Sequence, residues 1–102
     1  LTTKPYQFAV STITVYELLR GNNQNEDEYW QAMFSNMTVL GFDMNCAGHA
    51  AKIYQDLKSR GLSIEAEDLL IAATAWGNKM KLATGNVKHF ARVAGLELLI
   101  DD

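Results

Sequence analysis

Short apolar runs of strand character alternate with longer segments of helical periodicity along the whole of this chain. That alternation constrains the fold more than any other feature. Strands separated by helices are joined by crossovers, so they pair in parallel and the helices cover the sheet. The expected class is α/β, a three-layer sandwich with a mostly parallel central sheet. At 102 residues the chain suits one domain and can bury a core. No repeat, linker or low-complexity stretch divides it.

The elements follow from local signals. Tyr6, Phe8 and Val10 share one side of a period-2 pattern just after Pro5 and predict a strand. Thr14 opens a short helix, Glu17 three residues on completes a capping box, and Gly21 with Asn22 and Asn23 ends it. A second helix is expected over 26–37 with Asn25 as cap and Tyr29, Trp30, Met33, Phe34 and Met37 as its apolar stripe. A strand over 38–42 leads to Asp43, which caps a helix that faces inward through Ala47, Ala50, Ile53, Tyr54 and Leu57 and stops at Gly61. Ser63 caps a helix running to Lys79 that buries Leu69, Ala72, Ala73, Trp76 and Met80. Leu82 and Ala83 form a very short strand that breaks at Gly85. Asn86 caps a final helix ending at Gly95, and 96–100 returns as the last strand.

Composition removes several functions. Hydrophobic residues make up 48% of the chain, which excludes a disordered tail. A net charge of −3 argues against binding nucleic acid by charge alone. It leaves a nuclease open, because a divalent cation can supply positive charge where a phosphate sits. No apolar run approaches the roughly 20 residues that span a bilayer. The opening LTTKPYQFAV has no cationic stretch followed by an apolar one, so no secretory leader is expected in it. The single Cys46 makes no intrachain disulfide, which favours a reducing cytosol, and it reads as a small core filler.

Three polar residues lie at or just after a point where a strand gives way to a helix: Glu17, Asp68 and Asn86. In open parallel sheets such points border the crevice that binds ligands. Each also has a plain structural role. Glu17 can close its capping box and Asn86 can be an N-cap. Asp68, with Glu65 and Glu67, can complement the helix dipole. Asp68 nevertheless stacks over Ile71, Ala72 and Ala75 at helical spacing, and a half-buried carboxylate needs a partner or a metal. His49, expected on the exposed side of its helix, and His89 have no second ligand at metal spacing. The Glu26, Asp27 and Glu28 run reads as a solvated helix start. No glycine-rich phosphate loop, nucleophile elbow or paired-cysteine zinc motif is present.

The runs STITVYELLRG, EDLLIAATAW and LATGNVKHFARVAGLELL, in that order, resemble the PIN-domain ribonucleases, specifically the VapC-type toxins of toxin–antitoxin pairs. The resemblance covers essentially the whole chain. It implies one PIN-like domain over 1–102 that hydrolyses RNA in the cytosol with Mg²⁺ or Mn²⁺. It further implies an antitoxin partner and a homodimer, and no membrane association. By motif, Glu17, Asp68 and Asn86 take the positions of catalytic metal ligands, with Thr84 as polar support. Few, hard oxygen donors suit Mg²⁺, which sheds its waters reluctantly. The family's pattern also includes a first, central strand ending in a ligand Asp. No Asp precedes the first helix here and the chain opens on Leu1, so that strand is expected ahead of Leu1. Two other readings compete: a degenerate PIN-like interaction module without metal, and a flavodoxin-like regulatory domain with Asp43 as phosphoacceptor.

Overall fold

The computed structural model describes residues 9–21, 26–83 and 87–99. In chain order the elements are β1 (Ala9–Ser11), α1 (Thr12–Arg20), α2 (Asp27–Ser35), β2 (Thr38–Leu40), α3 (Met44–Ser59), α4 (Ala66–Gly77), β3 (Leu82–Ala83), α5 (Val87–Phe90) and β4 (Leu98–Leu99). Strand and helix alternate as the pattern predicts, with α1 and α2 as a two-helix excursion between β1 and β2. The strand expected around Tyr6 and Phe8 lies largely outside the described residues.

Both strand pairings are parallel, as the crossovers require. β1 pairs with β2 with Ala9 opposite Thr38 and Ser11 opposite Leu40, and β3 pairs with β4 with Leu82 opposite Leu98. Among the described residues the two pairs remain separate two-stranded sheets. The closing elements are shorter than expected. The helix predicted over 86–95 is one turn, and the strand predicted over 96–100 is a two-residue strand.

The core lies between α3 and α4 and is closed by the segment after α5. Ala50, Ile53 and Leu57 of α3 meet Ala72 and Ala73 of α4, with Phe90 and Val93. Small residues on α4 let the two helices approach closely, while burying Ile53 and Leu57 contributes about 1.5–3 kcal/mol each. Leu62, Ile64, Leu69, Leu70 and Trp76 pack around this centre. Thr74 is buried in the same helix and satisfies its hydroxyl by donating to the Leu70 carbonyl at 2.8 Å. Cys46 is fully buried, and burial pushes its thiol up, so it is the core filler the sequence suggests. Ala47 and Tyr54, expected on the inner face of α3, are exposed, and Cys46 takes the inward position instead.

Helix ends show where local signals act. Asp43 caps α3, its Oδ1 accepting from the Cys46 amide at 2.9 Å. At the other end Gly61 stands at φ 69°, with Leu62 N–H donating to the Leu57 carbonyl and Gly61 N–H to the Lys58 carbonyl. This is a Schellman stop. The start of α4 differs from expectation. It begins at Ala66 after Glu65, which makes no side-chain capping bond, so Ser63 is not its cap. α2 likewise starts after Glu26, and the expected cap Asn25 lies outside the described residues.

Candidate active site

The site is built on α1 and α4, which pack against each other, with α4 also touching β1. The strand β1 ends at Ser11, and the chain turns directly into α1. Ser11 is extended (φ −78°, ψ 152°), and its Oγ accepts from the Thr14 amide at 3.0 Å while donating to Thr14 Oγ1 at 3.0 Å. Ser11 is therefore the N-cap, and the predicted capping box of Thr14 and Glu17 does not form. With Thr14 already in the third helical position, Glu17 is a full turn too far along to reach the cap.

Glu17 is thus released from a structural duty and sits mid-helix with its side chain 31% exposed. Its one ionic contact among the described residues is Arg20 on the next turn, with Nη2 3.9 Å from Oε2. The Arg20 guanidinium also lies over the Tyr16 ring, 5.5 Å from its centroid. Sequence reasoning weighed Glu17 as a cap or a metal ligand and did not consider Arg20 beside it. The signal was present as the Glu-x-x-Arg spacing, which places two side chains on one helix face.

Asp68 is the third residue of α4, in its first turn with Glu67. It is half-buried, as the stacking over Ile71, Ala72 and Ala75 predicted. It makes no hydrogen bond or ion pair to another described residue, so the positive end of the α4 dipole is the field that acts on it. Asn86 and Thr84 lie outside the described residues. The structure therefore brings together the helices that carry Glu17 and Asp68. Among the described residues no group of three His, Cys, Asp or Glu side chains gathers at metal-binding spacing. Two half-buried carboxylates on packed helices are hard oxygen donors of the kind Mg²⁺ or Mn²⁺ takes, and among the described residues no partner competes for Asp68. The donor chemistry fits a divalent cation that draws its remaining ligands from outside this pair.

The other polar residues resolve differently. Asp43 is engaged as a cap, and the Cys46 backbone bond holds its carboxyl below the ordinary value. His49 is not on an exposed side. It is half-buried with its ring 4.7 Å from that of Trp76, and Nδ1 is buried without a hydrogen-bond partner among the described residues. His89 falls in α5, and its side chain is outside the described set. At the far end of α4 from Asp68, Trp76, Lys79, Met80, Gly95 and Glu97 line a cavity of about 290 Å³.

Comparison with known proteins gives one pattern. The family model described as PIN domain matches residues 2–96. Ribonuclease VapC1 of Rickettsia felis is 38% identical over 104 residues, an alignment covering 91% of this chain and 75% of that protein. In solved structures, VapBC-1 from nontypeable Haemophilus influenzae superposes with a TM-score of 0.86 at 27% identity, covering 96% of this chain and 77% of that one. A toxin–antitoxin complex from Klebsiella pneumoniae superposes with a TM-score of 0.70 at 28% identity, covering 91% and 74%. These likenesses bear out the α/β class with parallel strand pairing.

Proposed function

The chain belongs to the PIN-domain family and to its VapC group, and from that premise we propose that the protein is a metal-dependent endoribonuclease toxin acting in the cytosol. The observation that carries the reading is the packing of α1 on α4, with a half-buried carboxylate on each, Glu17 and Asp68. Together with Asn86, these two would hold Mg²⁺ or Mn²⁺, and Thr84 would support Asn86. When bound, the cation supplies positive charge beside the scissile phosphate and makes water a better nucleophile. Glu17 presents its carboxylate from the middle of a rigid helix rather than from a loop, which fixes its position. Asp68 stands in the first turn of α4, where the helix dipole complements a negative charge.

Apolar surface on the first two helices supports a protein partner. Tyr16 and Leu19 on α1, and Tyr29 and Met33 on α2, are all exposed. An antitoxin that covers the site, and a second copy of the toxin, are the partners the family membership suggests. Among the described residues no helix is long and apolar enough to cross a membrane.

The test is cleavage of a labelled oligoribonucleotide by the full-length gene product. Chelation should abolish cleavage and added Mn²⁺ restore it. Glu17→Gln and Asp68→Asn should each lower the rate by at least about a hundredfold without loss of fold. Variants that cut at the wild-type rate would remove the site and leave the non-catalytic interaction module as the better account.

A further inference from the structure

Resting on the nuclease reading, we propose that Arg20 is a phosphate-binding residue of the RNA site, paired with Glu17 until substrate displaces it. The contact at 3.9 Å is too long for a hydrogen bond, so among the described residues no hydrogen bond occupies the guanidinium's planar fork of donors. The Arg20 side chain is 53% exposed and rests over Tyr16, which is itself exposed. Exposed ion pairs three residues apart on a helix hold their partners weakly. A guanidinium on a phosphodiester can make two parallel charge-assisted bonds, a much stronger arrangement.

Charge balance favours the exchange. Glu17 cannot give its full negative charge both to a bound cation and to Arg20. Once that charge is committed, Arg20 loses its attraction to the carboxylate while remaining within about one side-chain movement of it. A phosphate drawn to the same carboxylate-held cation would arrive within reach of the freed guanidinium. The chain as a whole carries −3, so a cation placed at the site itself matters for accepting a polyanion. In the absence of RNA, the Glu17 pairing and the Tyr16 ring keep the guanidinium oriented at the end of α1, where the helix dipole also favours positive charge.

Binding without turnover separates this role from catalysis. Fluorescence anisotropy of a fluorescein-labelled single-stranded oligoribonucleotide would be followed in EDTA across a NaCl series, using the full-length gene product. Arg20→Gln should weaken binding about tenfold and reduce the slope of log affinity against log salt by about 0.7. Arg20→Lys should restore the slope but only part of the affinity, because the charge returns without the fork. Glu17→Gln should tighten binding in EDTA by releasing Arg20. That gain should be at least about threefold larger with Arg20 present than in the Arg20→Gln background. An unchanged salt slope in a folded Arg20→Gln protein, or equal gains from Glu17→Gln in both backgrounds, overturns the assignment. If Glu17→Gln still abolishes cleavage in that case, only the role of Arg20 falls. If Glu17→Gln cleaves normally, the nuclease site itself falls.

Discussion

At the scale of single residues, the fold assigns acidic side chains to different tasks by what they touch rather than by their type. Asp43 and Glu17 each follow a short strand of the same parallel pair, yet one caps a helix and the other is left over. The difference lies with Ser11, which occupies the cap of α1 and leaves Glu17, among the described residues, with Arg20. Asp43 has no such competitor, and its carboxylate takes the Cys46 amide at 2.9 Å. That bond favours the charged form, so the folded protein holds Asp43 below its ordinary value of 3.8. The linked stability is present above 3.8 and is lost as pH falls through the lowered folded value. Asp43→Ala should therefore melt a few degrees below wild type at neutral pH, and Asp43→Asn should keep most of the cap. The gap between wild type and Asp43→Asn should close as acid protonates Asp43. Thermal melts of all three proteins across an acid series check the sign, and a gap that widens in acid would contradict it. His49 shows the converse case of a polar residue enlisted for packing. Its position on α3 looked exposed by helical periodicity, but Trp76 of the neighbouring helix reaches it.

At the scale of elements, the stop at Gly61 and the start at Asp43 were legible, while the starts of α1 and α4 were not, for a physical reason. A Schellman stop is written in the backbone of a few adjacent residues, and Gly61 announces one. α4 ends with the same pattern, Met80 N–H donating to the Ala75 carbonyl and Lys79 N–H to the Trp76 carbonyl. Here, though, the left-handed position is held by Lys79 at φ 56°. A lysine bears a steric cost there that glycine avoids, so Lys79→Gly should stabilise the protein by about 0.5–1 kcal/mol in urea unfolding. Gly95 is the opposite case. It stands at φ 85°, and a Cβ added there would lie 2.8 Å from Trp76 Cζ2. Gly95→Ala should cost about 2–3 kcal/mol in the same experiment. If the two substitutions shifted stability in the same direction, this account of the left-handed positions would be wrong. Helix starts depend on tertiary contacts instead. Ser11, Thr12 and Thr14 are all chemically able to cap, and pairing with Leu40 keeps Ser11 extended, so the helix begins immediately after it. Ser63 is a good cap by type, but Leu62 and Ile64 on either side pack toward the core. That keeps the segment extended and delays α4 to Ala66.

At the scale of the whole molecule, the proposed site depends on two helices distant in sequence being packed together. Glu17 and Asp68 were visible as residues of the right chemistry, but no local signal could state that α1 lies on α4. That placement depends on the small-residue face of α4 being shared between α3 and its other neighbours. It also sets how the fold should respond to a cation. Without one, each half-buried carboxylate carries a desolvation cost, offset at Glu17 by Arg20. With one, the same carboxylates would hold the ion together, a binding contribution confined to the folded state. Ligand binding to the native state alone stabilises by RT ln(1 + [L]/Kd), about 1.4 kcal/mol at ten times Kd. For a domain of this size that raises the melting temperature by roughly 5–10 °C. Mg²⁺ should therefore raise the melting temperature of the full-length protein beyond the effect of KCl at matched ionic strength. Glu17→Gln and Asp68→Asn should melt at or above wild type in EDTA and fall below it in Mg²⁺. That reversal of rank is the informative result, because lost packing would lower both melting temperatures in either buffer. If the variants gain as much from Mg²⁺ as wild type does, the cation binds elsewhere and the pairing of α1 with α4 serves the core alone.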